Sequence, residues 1–150
     1  MTDLEIRPAR RGDVATIVRL LIDDQLGATR DSVDDLAPYL RAFEEIEHDP
    51  NQFLVVAAVV GEPVGTLQLT IIPGMARKGA RRGQIEAVRV RRDHRGSGLG
   101  GELMRWAVTE SRQRGCALVQ LTSDVSRVNA HRFYERLGFV ASHTGFKMAL

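Results

Sequence analysis

The sequence predicts one α/β domain that spans residues 1–150. A chain of 150 residues and 16.6 kDa fits a single domain, which at this size buries about two thirds of the surface of the unfolded chain. Hydrophobic residues make up 43% and charged residues 27%, a balance that excludes a disordered tail or a fibre. Two-residue alternation and 3.6-residue periodicity both occur along the chain, so strands and helices share the domain.

The first half predicts an edge strand, two helices and a hairpin. Pro8 ends an alternating segment, as is typical of edge strands, and Asp13 is suited to cap the helix that follows. A second, acidic helix contains Pro38, and the turn Gly61-Glu62-Pro63 joins two strands rich in β-branched residues. The predicted elements are a strand at 4–7, helices at 13–22 and 31–49, and strands at 53–60 and 64–72.

The second half predicts a strand–loop–helix unit followed by further strands and one more helix. A basic, glycine-rich loop at 73–83 precedes this unit, and Gly115 and Gly138 stop the two helices. The predicted elements are strands at 84–91, 117–121, 139–141 and 145–150, and helices at 98–114 and 128–137.

The net charge of +2 conceals a charge split along the chain. Residues 1–73 carry 6 basic and 13 acidic groups, residues 74–150 carry 15 basic and 6 acidic groups, and eight of the basic ones lie within 77–95. This distribution favours an anionic partner for the second half, with solvated surface as the alternative. A helix-turn-helix, a zinc pattern and an aromatic RNA-binding strand are absent from the sequence, so we expect no nucleic-acid partner.

Cysteine and targeting patterns exclude several other classes. Cys116 is the single cysteine, which excludes a disulfide framework and a CxxC metal pair, and we expect it to be a small buried side chain. The histidines show no metal-ligand spacing, so no metal is predicted. The first residues lack the features of a signal peptide, and the longest apolar run, 53–60, is too short to cross a bilayer. We therefore expect a cytoplasmic protein with no membrane partner.

The residues between the predicted strand at 84–91 and the next helix indicate a phosphate site. Glycines in Arg95-Gly96-Ser97-Gly98-Leu99-Gly100-Gly101 let backbone N–H groups face a phosphate, and the helix adds its positive N-terminal end. Arg95 supplies a full charge. These features predict a pyrophosphate cradle.

Two well-known phosphate-binding patterns fit this cradle poorly. Gly96, Gly98 and Gly101 match the GxGxxG pattern of dinucleotide-binding folds, yet only 49 residues follow Gly101, too few for a doubly wound sheet. The sequence GxxxxGK[ST] of P-loop proteins is absent.

Three segments together resemble the GNAT N-acetyltransferase family. Arg95 to Gly100 is similar to its R/Q-x-x-G-x-G/A signature, and Ile6-Arg7-Pro8-Ala9 followed by Asp13 is similar to its opening. Asn129 together with Phe133-Tyr134-Glu135-Arg136-Leu137-Gly138-Phe139 is similar to its closing segment. The resemblance covers nearly the whole chain. It implies a mixed, mostly antiparallel central sheet with helices on both faces, splayed between strands 84–91 and 117–122, with a bulge near 87–89.

The resemblance also implies acetyl-CoA as the cosubstrate. In the family the pyrophosphate rests on the loop amides and the pantetheine arm pairs with the preceding strand. Asn129 matches a residue that contacts the cofactor, with a helix N-cap as the alternative role. The implied cofactor-binding residues are Val88, Val90, Arg95, Gly96, Ser97, Gly98, Leu99, Gly100 and Asn129.

Two residues match the family's catalytic positions. Glu86 is the candidate general base that takes a proton from the amine, although it could instead be a charge partner of nearby arginines. Asp124 is a second carboxylate candidate. Tyr134 matches the general acid, because an ordinary tyrosine pKa of about 10 keeps the hydroxyl protonated at neutral pH. Its alternative role is packing beside Phe133.

The resulting expectation is direct acetyl transfer from acetyl-CoA to a primary amine of a small molecule in a ternary complex. Acetylation of a protein N-terminus or lysine and a non-catalytic CoA-binding module are the alternatives. The acceptor stays open, since the acidic helix at 31–49 favours a cation and the loop at 73–83 favours an anion. Family relatives are often homodimers, and an exposed last strand would suit one here.

Overall fold

The computed structural model describes residues 3–24 and 26–150, and the chain forms two compact units, Met1–Gln120 and Leu121–Leu150. Two 3₁₀ turns, Arg11–Asp13 and Arg92–His94, lie just before α1 and α5 respectively. The elements in chain order are β1 (Leu4–Pro8), α1 (Val14–Ile22), α2 (Gly27–Arg30), α3 (Ala37–His48), β2 (Gln52–Val59), β3 (Glu62–Ile72), α4 (Ala76–Gly79), β4 (Arg81–Val90), α5 (Leu99–Gln113), β5 (Cys116–Leu121) and α6 (Val128–Arg136).

Five strands form one mixed, mostly antiparallel sheet in the order β1 to β5, which confirms the predicted fold class. The pairs β1–β2, β2–β3 and β3–β4 are antiparallel, so β4 and β5 are the parallel pair, joined through α5. β1 lies at the edge, as its terminal proline predicts.

The hairpin between β2 and β3 closes with a two-residue turn. Val59 pairs with Glu62, and both turn residues have positive φ, 50° at Val60 and 78° at Gly61. Tight hairpin turns require this backbone conformation because it matches the twist of the strands. The predicted turn at Gly61-Glu62-Pro63 is therefore wrong, since Glu62 and Pro63 already belong to β3.

A β-bulge interrupts the pairing of β3 with β4. Gln68 lies opposite Glu86 and Thr66 lies opposite Arg89, so one residue of β3 faces two residues of β4. Ala87, in the bulge, has a φ of 53°. This confirms the bulge expected near 87–89.

Helices cover both faces of the sheet in the first unit. Gly83 faces Ser111 of α5, and Leu103 of α5 is completely buried. On the opposite face, Val14 and Val18 of α1 pack with Phe43 of α3 in a separate apolar cluster. Alternation along the strands sends successive side chains to these two faces.

Several predicted elements differ from the structure. The second helix begins at Ala37 with Pro38 in its first turn, where proline is tolerated. The loop predicted at 73–83 is shorter, because β4 begins at Arg81, and it contains α4, a short turn with positive φ at Arg77 and Lys78.

The strands predicted at 139–141 and 145–150 are wrong. Residues 139–150 contain no strand, and Phe146, Met148 and Leu150 are exposed. Alternation is a strand signal only where another edge is available for pairing, and in the unit Leu121–Leu150 this segment pairs with none.

Asp13 lies at the start of α1, but it does not cap that helix as predicted. Its carboxylate accepts hydrogen bonds from the Arg10 N–H at 2.8 Å and from the Arg7 guanidinium at 2.8 and 3.1 Å. The bonds from Arg7 lower the pKa of the Asp13 carboxyl, against the opposing effect of burial. Asp13 therefore ties β1 to the turn before α1.

Candidate active site

The glycine-rich turn between β4 and α5 has the backbone geometry of a cradle. Gly96 and Gly98 have φ of 78° and 87°, and no atom lies within 4 Å of a Cβ built on either residue. The Glu102 N–H donates to the Gly98 carbonyl at 3.1 Å as the first bond of α5. Amides of the first turn, at Leu99 and Gly100, therefore have no acceptor within the helix, as at every helix start. This surface fits an anion such as a pyrophosphate.

Arg95, at the start of this cradle, is already bonded to Asp23, the residue that follows α1. Its Nε donates to the Val90 carbonyl at 3.0 Å, and its Nη2 donates to the Asp23 carbonyl at 2.7 Å. The Asp23 carboxylate also accepts from Arg92 at 2.8 Å. The Arg95 N–H donates to the Arg92 carbonyl at 3.3 Å, so this amide is already used. The cradle therefore relies on the amides that follow Arg95 and on two arginines that share Asp23.

The predicted pantetheine strand lies directly after the bulge. Val88 and Val90 are half-buried, and their carbonyls accept side-chain hydrogen bonds from Arg89 at 2.9 Å and Arg95 at 3.0 Å. Arg89 also forms an ion pair with Asp24 at 3.5 Å. β5 ends at Leu121, one residue after Gln120, whose side chain contacts Gln84. Since β4 and β5 are parallel, β4 runs on past the end of β5, an arrangement consistent with the predicted splay.

Glu86 is exposed on the face of β4 that points away from α5. Within the described residues of the first unit, its carboxylate makes no hydrogen bond or ion pair. The arginines near it in sequence have other carboxylates, Asp24 for Arg89, and Glu62 and Asp93 for Arg91. The charge-partner role is thus unsupported, and the carboxylate is available to a ligand.

An apolar cavity of about 140 Å³ lies between α1, α3 and the sheet, against the bulge residue Ala87. Ile17 and Leu21 of α1 and Phe43 of α3 line it, and it reaches Gln68 and Ala87 on the sheet. Ala87 in the bulge therefore lines the apolar cavity and directly follows Glu86, whose carboxylate is exposed.

The second unit contains the other predicted site residues. Tyr134 is half-buried, and its ring contacts Phe133 and Phe139 at centroid distances of 5.4 and 6.2 Å. Asn129 is exposed in the first turn of α6, whose N-cap is Arg127, so the N-cap alternative for Asn129 is wrong.

Asp124 organises the turn that leads into α6. Its carboxylate accepts from the Ser126 N–H at 2.9 Å and the Ser126 hydroxyl at 2.6 Å, and its carbonyl binds the His131 ring at 2.8 Å. Such local bonds are typical of a turn-forming aspartate. They give Asp124 a structural role that a general base does not need.

Comparison with known proteins decides the family. The model of the acetyltransferase (GNAT) family matches residues 16–139, from α1 to beyond α6. The chain belongs to the GNAT acetyltransferase family.

Two curated GNAT relatives match shorter stretches. The chain is 36% identical over 102 residues to an aminoalkylphosphonate N-acetyltransferase of Salmonella typhimurium, covering 68% of this chain and 66% of the relative. It is 38% identical over 90 residues to a glucosamine 6-phosphate N-acetyltransferase of Trypanosoma brucei brucei, covering 60% and 59%. The matched stretch is thus less than two thirds of either relative.

A solved structure matches nearly the full chain. A protein from Bacillus halodurans described as a transcriptional regulator has a TM-score of 0.95 and 44% identity, covering 98% of this chain and 99% of its own. The fold of the present chain is therefore shared over nearly its whole length.

Sequence reasoning missed Asp23, which joins Arg92 and Arg95, because nothing in the sequence near Asp23 points to a cradle about 70 residues away. Cys116 is half-buried, and burial raises the pKa of its thiol, which disfavours a nucleophilic role. In the described parts of the chain, no helix is long and apolar enough for a membrane span.

Proposed function

We propose that this GNAT protein transfers an acetyl group from acetyl-CoA directly to the primary amine of a small molecule, with both substrates bound together. The observation that carries the proposal is the Gly96–Gly98 turn, which is open at both glycines and lies on the same β4–α5 unit as the exposed Glu86 carboxylate. The two curated relatives are named for N-acetylation of an aminoalkylphosphonate and of glucosamine 6-phosphate, which supports a small amine over a protein.

The cosubstrate supplies an acetyl thioester. Amides of Gly96, Ser97, Gly98, Leu99 and Gly100 would hold its pyrophosphate, with Arg95 at the entrance and Asn129 as a further contact. Backbone groups of Val88 and Val90 would align the arm. A backbone N–H of this strand also polarises the thioester carbonyl, the contribution of an oxyanion donor.

Proton transfer falls to two side chains. An alkylamine arrives protonated at neutral pH, so the exposed Glu86 carboxylate takes its proton, directly or through water. Tyr134 donates its hydroxyl proton to the departing thiolate. The apolar cavity next to Ala87 limits water beside the reacting groups.

The cradle is tested by substituting Gly98 with alanine. A Cβ at Gly98 projects into open space that the phosphate would fill, so we expect at least a tenfold loss of acetyl-CoA affinity in calorimetry. Gly115→Ala is the matched control, because Gly115 has φ of 78°, equally open surroundings and a position at the other end of α5. Equal affinity in both variants would remove the phosphate from this turn.

The acid is tested by Tyr134→Phe. We expect turnover, followed as CoA thiol release with a panel of amines, to fall at least tenfold while acetyl-CoA affinity stays within twofold. A thiol-release panel that includes lysine and N-terminal peptides separates small amines from proteins, and affinity for acetyl-CoA without release from any amine would indicate a non-catalytic CoA-binding module.

The Bacillus halodurans relative is described as a transcriptional regulator, so a regulatory role of the present chain, exerted through DNA, is the second candidate. In this chain several arginines of 77–95 already have carboxylate partners, namely Arg89, Arg91, Arg92 and Arg95. Salt-dependent DNA binding that acetyl-CoA modulates would favour the regulator over a metabolic enzyme.

A further inference from the structure

The sheet face that points away from α5 carries a row of uncharged polar side chains, Gln52, Thr70, Gln84 and Gln120, which we call the amide row. The strand register places Gln52 opposite Thr70 and Thr70 opposite Gln84. The Thr70 hydroxyl donates to Gln52 Oε1 at 2.8 Å, and the Gln120 amide donates to Gln84 Oε1 at 2.8 Å. All four side chains are half-buried.

The amide row keeps hydrogen-bonding capacity for a ligand. Gln84 uses its carbonyl oxygen as an acceptor, so its two amide N–H donors stay available in the described first unit. Gln120 uses one donor and keeps its carbonyl oxygen. A ligand with hydroxyl or oxyanion oxygens matches this pair.

Arg82 extends the same face beyond Gln84. It is half-buried, and within the described residues of the first unit its guanidinium has no hydrogen bond or ion pair. Arg81 points to the other face, where it donates to the Arg114 carbonyl at 3.3 Å. A half-buried guanidinium without a counter-ion favours an oxyanion, which it binds with paired, charge-assisted hydrogen bonds.

Glu86 lies on this face two residues beyond Gln84, so Arg82, Gln84 and Glu86 form a line of polar side chains along β4. Alternate residues of a strand are about 7 Å apart, so the Cα atoms of Glu86 and Arg82 are about 13 Å apart with Gln84 midway. One end of the line therefore attracts a cation, the other end attracts an anion, and neutral donors and acceptors lie between them.

Resting on the proposed acetyltransferase function, we propose that the acceptor is a primary amine that also carries an oxyanion, laid along β4. Its amine lies at Glu86, its oxyanion at Arg82, and its middle contacts Gln84 and Gln120. The polar line selects the acceptor by charge at both ends.

The test compares acceptors that differ only in the far end. Amino alcohols, amino carboxylates and aminoalkyl phosphates with chains of two to six carbons are assayed by CoA release. We expect the longer anionic acceptors to have a KM about ten- to a hundredfold below that of the alcohol of equal length. The carboxylate and phosphate arms identify which oxyanion is preferred.

Arg82→Gln should abolish this preference, and Arg82→Lys should retain part of it. Arg81→Gln is the matched control with the same charge change on the opposite face, and it should keep the preference. Calorimetry with acetyl-CoA should give equal affinities for all variants, because none of these residues lies in the cradle.

The outcomes separate this inference from the proposed function. Acetylation of all amines without a preference for anions, or an equal loss in the Arg81 and Arg82 variants, would overturn the inference and leave the function intact. If no amine is acetylated, the function fails. Calorimetric binding of butyl phosphate that is lost in Arg82→Gln but not in Arg81→Gln would still support the anion site, and no binding to the wild type would overturn it.

Discussion

On the side that faces α5, β4 presents Gly83 and Ile85, and Ile85 is only 2% exposed. On the opposite side the same strand presents Arg82, Gln84 and Glu86, which are exposed or half-buried and polar. On the first side, a Cβ added at Gly83 would collide with Ser111. On the second side, no group of the described first unit binds the charged side chains of Arg82 and Glu86. Changes on the first side should therefore alter stability, and changes on the second should alter acceptor binding or catalysis.

The strongest test of this comparison is Glu86→Gln. We expect kcat/KM for an amine to fall at least a hundredfold because the proton acceptor is lost, with an unchanged melting temperature because the carboxylate is exposed. The loss should shrink as pH rises, since more of the amine is then already deprotonated. Glu110→Gln, which removes a surface partner of Arg114, is the control that should keep full activity. Full activity in Glu86→Gln would exclude it as the base.

On the packed side, Gly83→Ala should lower stability. Its Cβ would lie 2.5 Å from Ser111 Oγ, which donates to the Ala107 carbonyl at 2.7 Å in a fully buried site. We expect a loss of about 1–3 kcal/mol in the free energy of unfolding, measured by chemical denaturation. Ser111→Ala removes the contacting oxygen, so the double variant should recover part of this loss. Strictly additive losses would contradict the contact.

Asp13 contrasts with the exposed Glu86 because its carboxylate is buried and already paired with Arg7. Asp13→Asn should lower the free energy of unfolding at pH 7 by about 1–3 kcal/mol, because the Arg7 guanidinium loses its charged partner. The pKa of Asp13 is lowered in the folded state, so its stabilisation is complete above the unfolded pKa near 4 and is lost as pH falls through the lower folded value. The stability difference between wild type and Asp13→Asn should therefore shrink below about pH 4. A constant difference down to pH 2 would contradict the assignment.

The smallest effect is expected at the bulge, where both sides meet. Ala87 has a φ of 53°, a conformation that glycine adopts without strain. Ala87→Gly should therefore be neutral or stabilise the protein by up to about 1 kcal/mol. Glycine in a regular strand would instead destabilise it, so the sign of the change, read from denaturation curves, reports on the bulge.

Local patterns were enough to predict most of the fold. Proline at the end of β1, glycine after α5 and apolar spacing in α1 are signals within a few residues of the feature they specify. The hairpin turn and the last strands were predicted wrongly because they depend on pairing partners. Val60 has positive φ only because the register of β2 and β3 requires it, and the alternating segment at 145–150 finds no partner strand in its unit.

The residues of the candidate site also differ in whether local sequence was enough to predict them. The glycine turn was predictable because its positive φ angles at Gly96 and Gly98 are ones that glycine adopts without strain. Asp23 and Gln120 were not, since their neighbours come from distant parts of the chain. Arg82 was predicted to lie in a loop that favours an anion, but its alignment with Glu86 was missed because β4 begins earlier than predicted. The roles of Tyr134 and Asn129 stay predictions from the family resemblance.

The extra residue of the bulge also determines how the strand tolerates insertions and deletions. Before it, polar side chains point away from α5 at even positions, Arg82, Gln84 and Glu86, and after it the odd-numbered Arg89 does so opposite Thr66. Removing Ala87 would leave one residue, Val88, between Glu86 and Arg89, which matches the single residue between Gln68 and Thr66. Regular alternation would then return, and Arg89 would stay on the same side of the strand. The spacing of three between positions 86 and 89 is thus a mark of the bulge that can be read in the linear sequence, and deletion of Ala87 should change the course of the backbone there while both faces of the strand are kept.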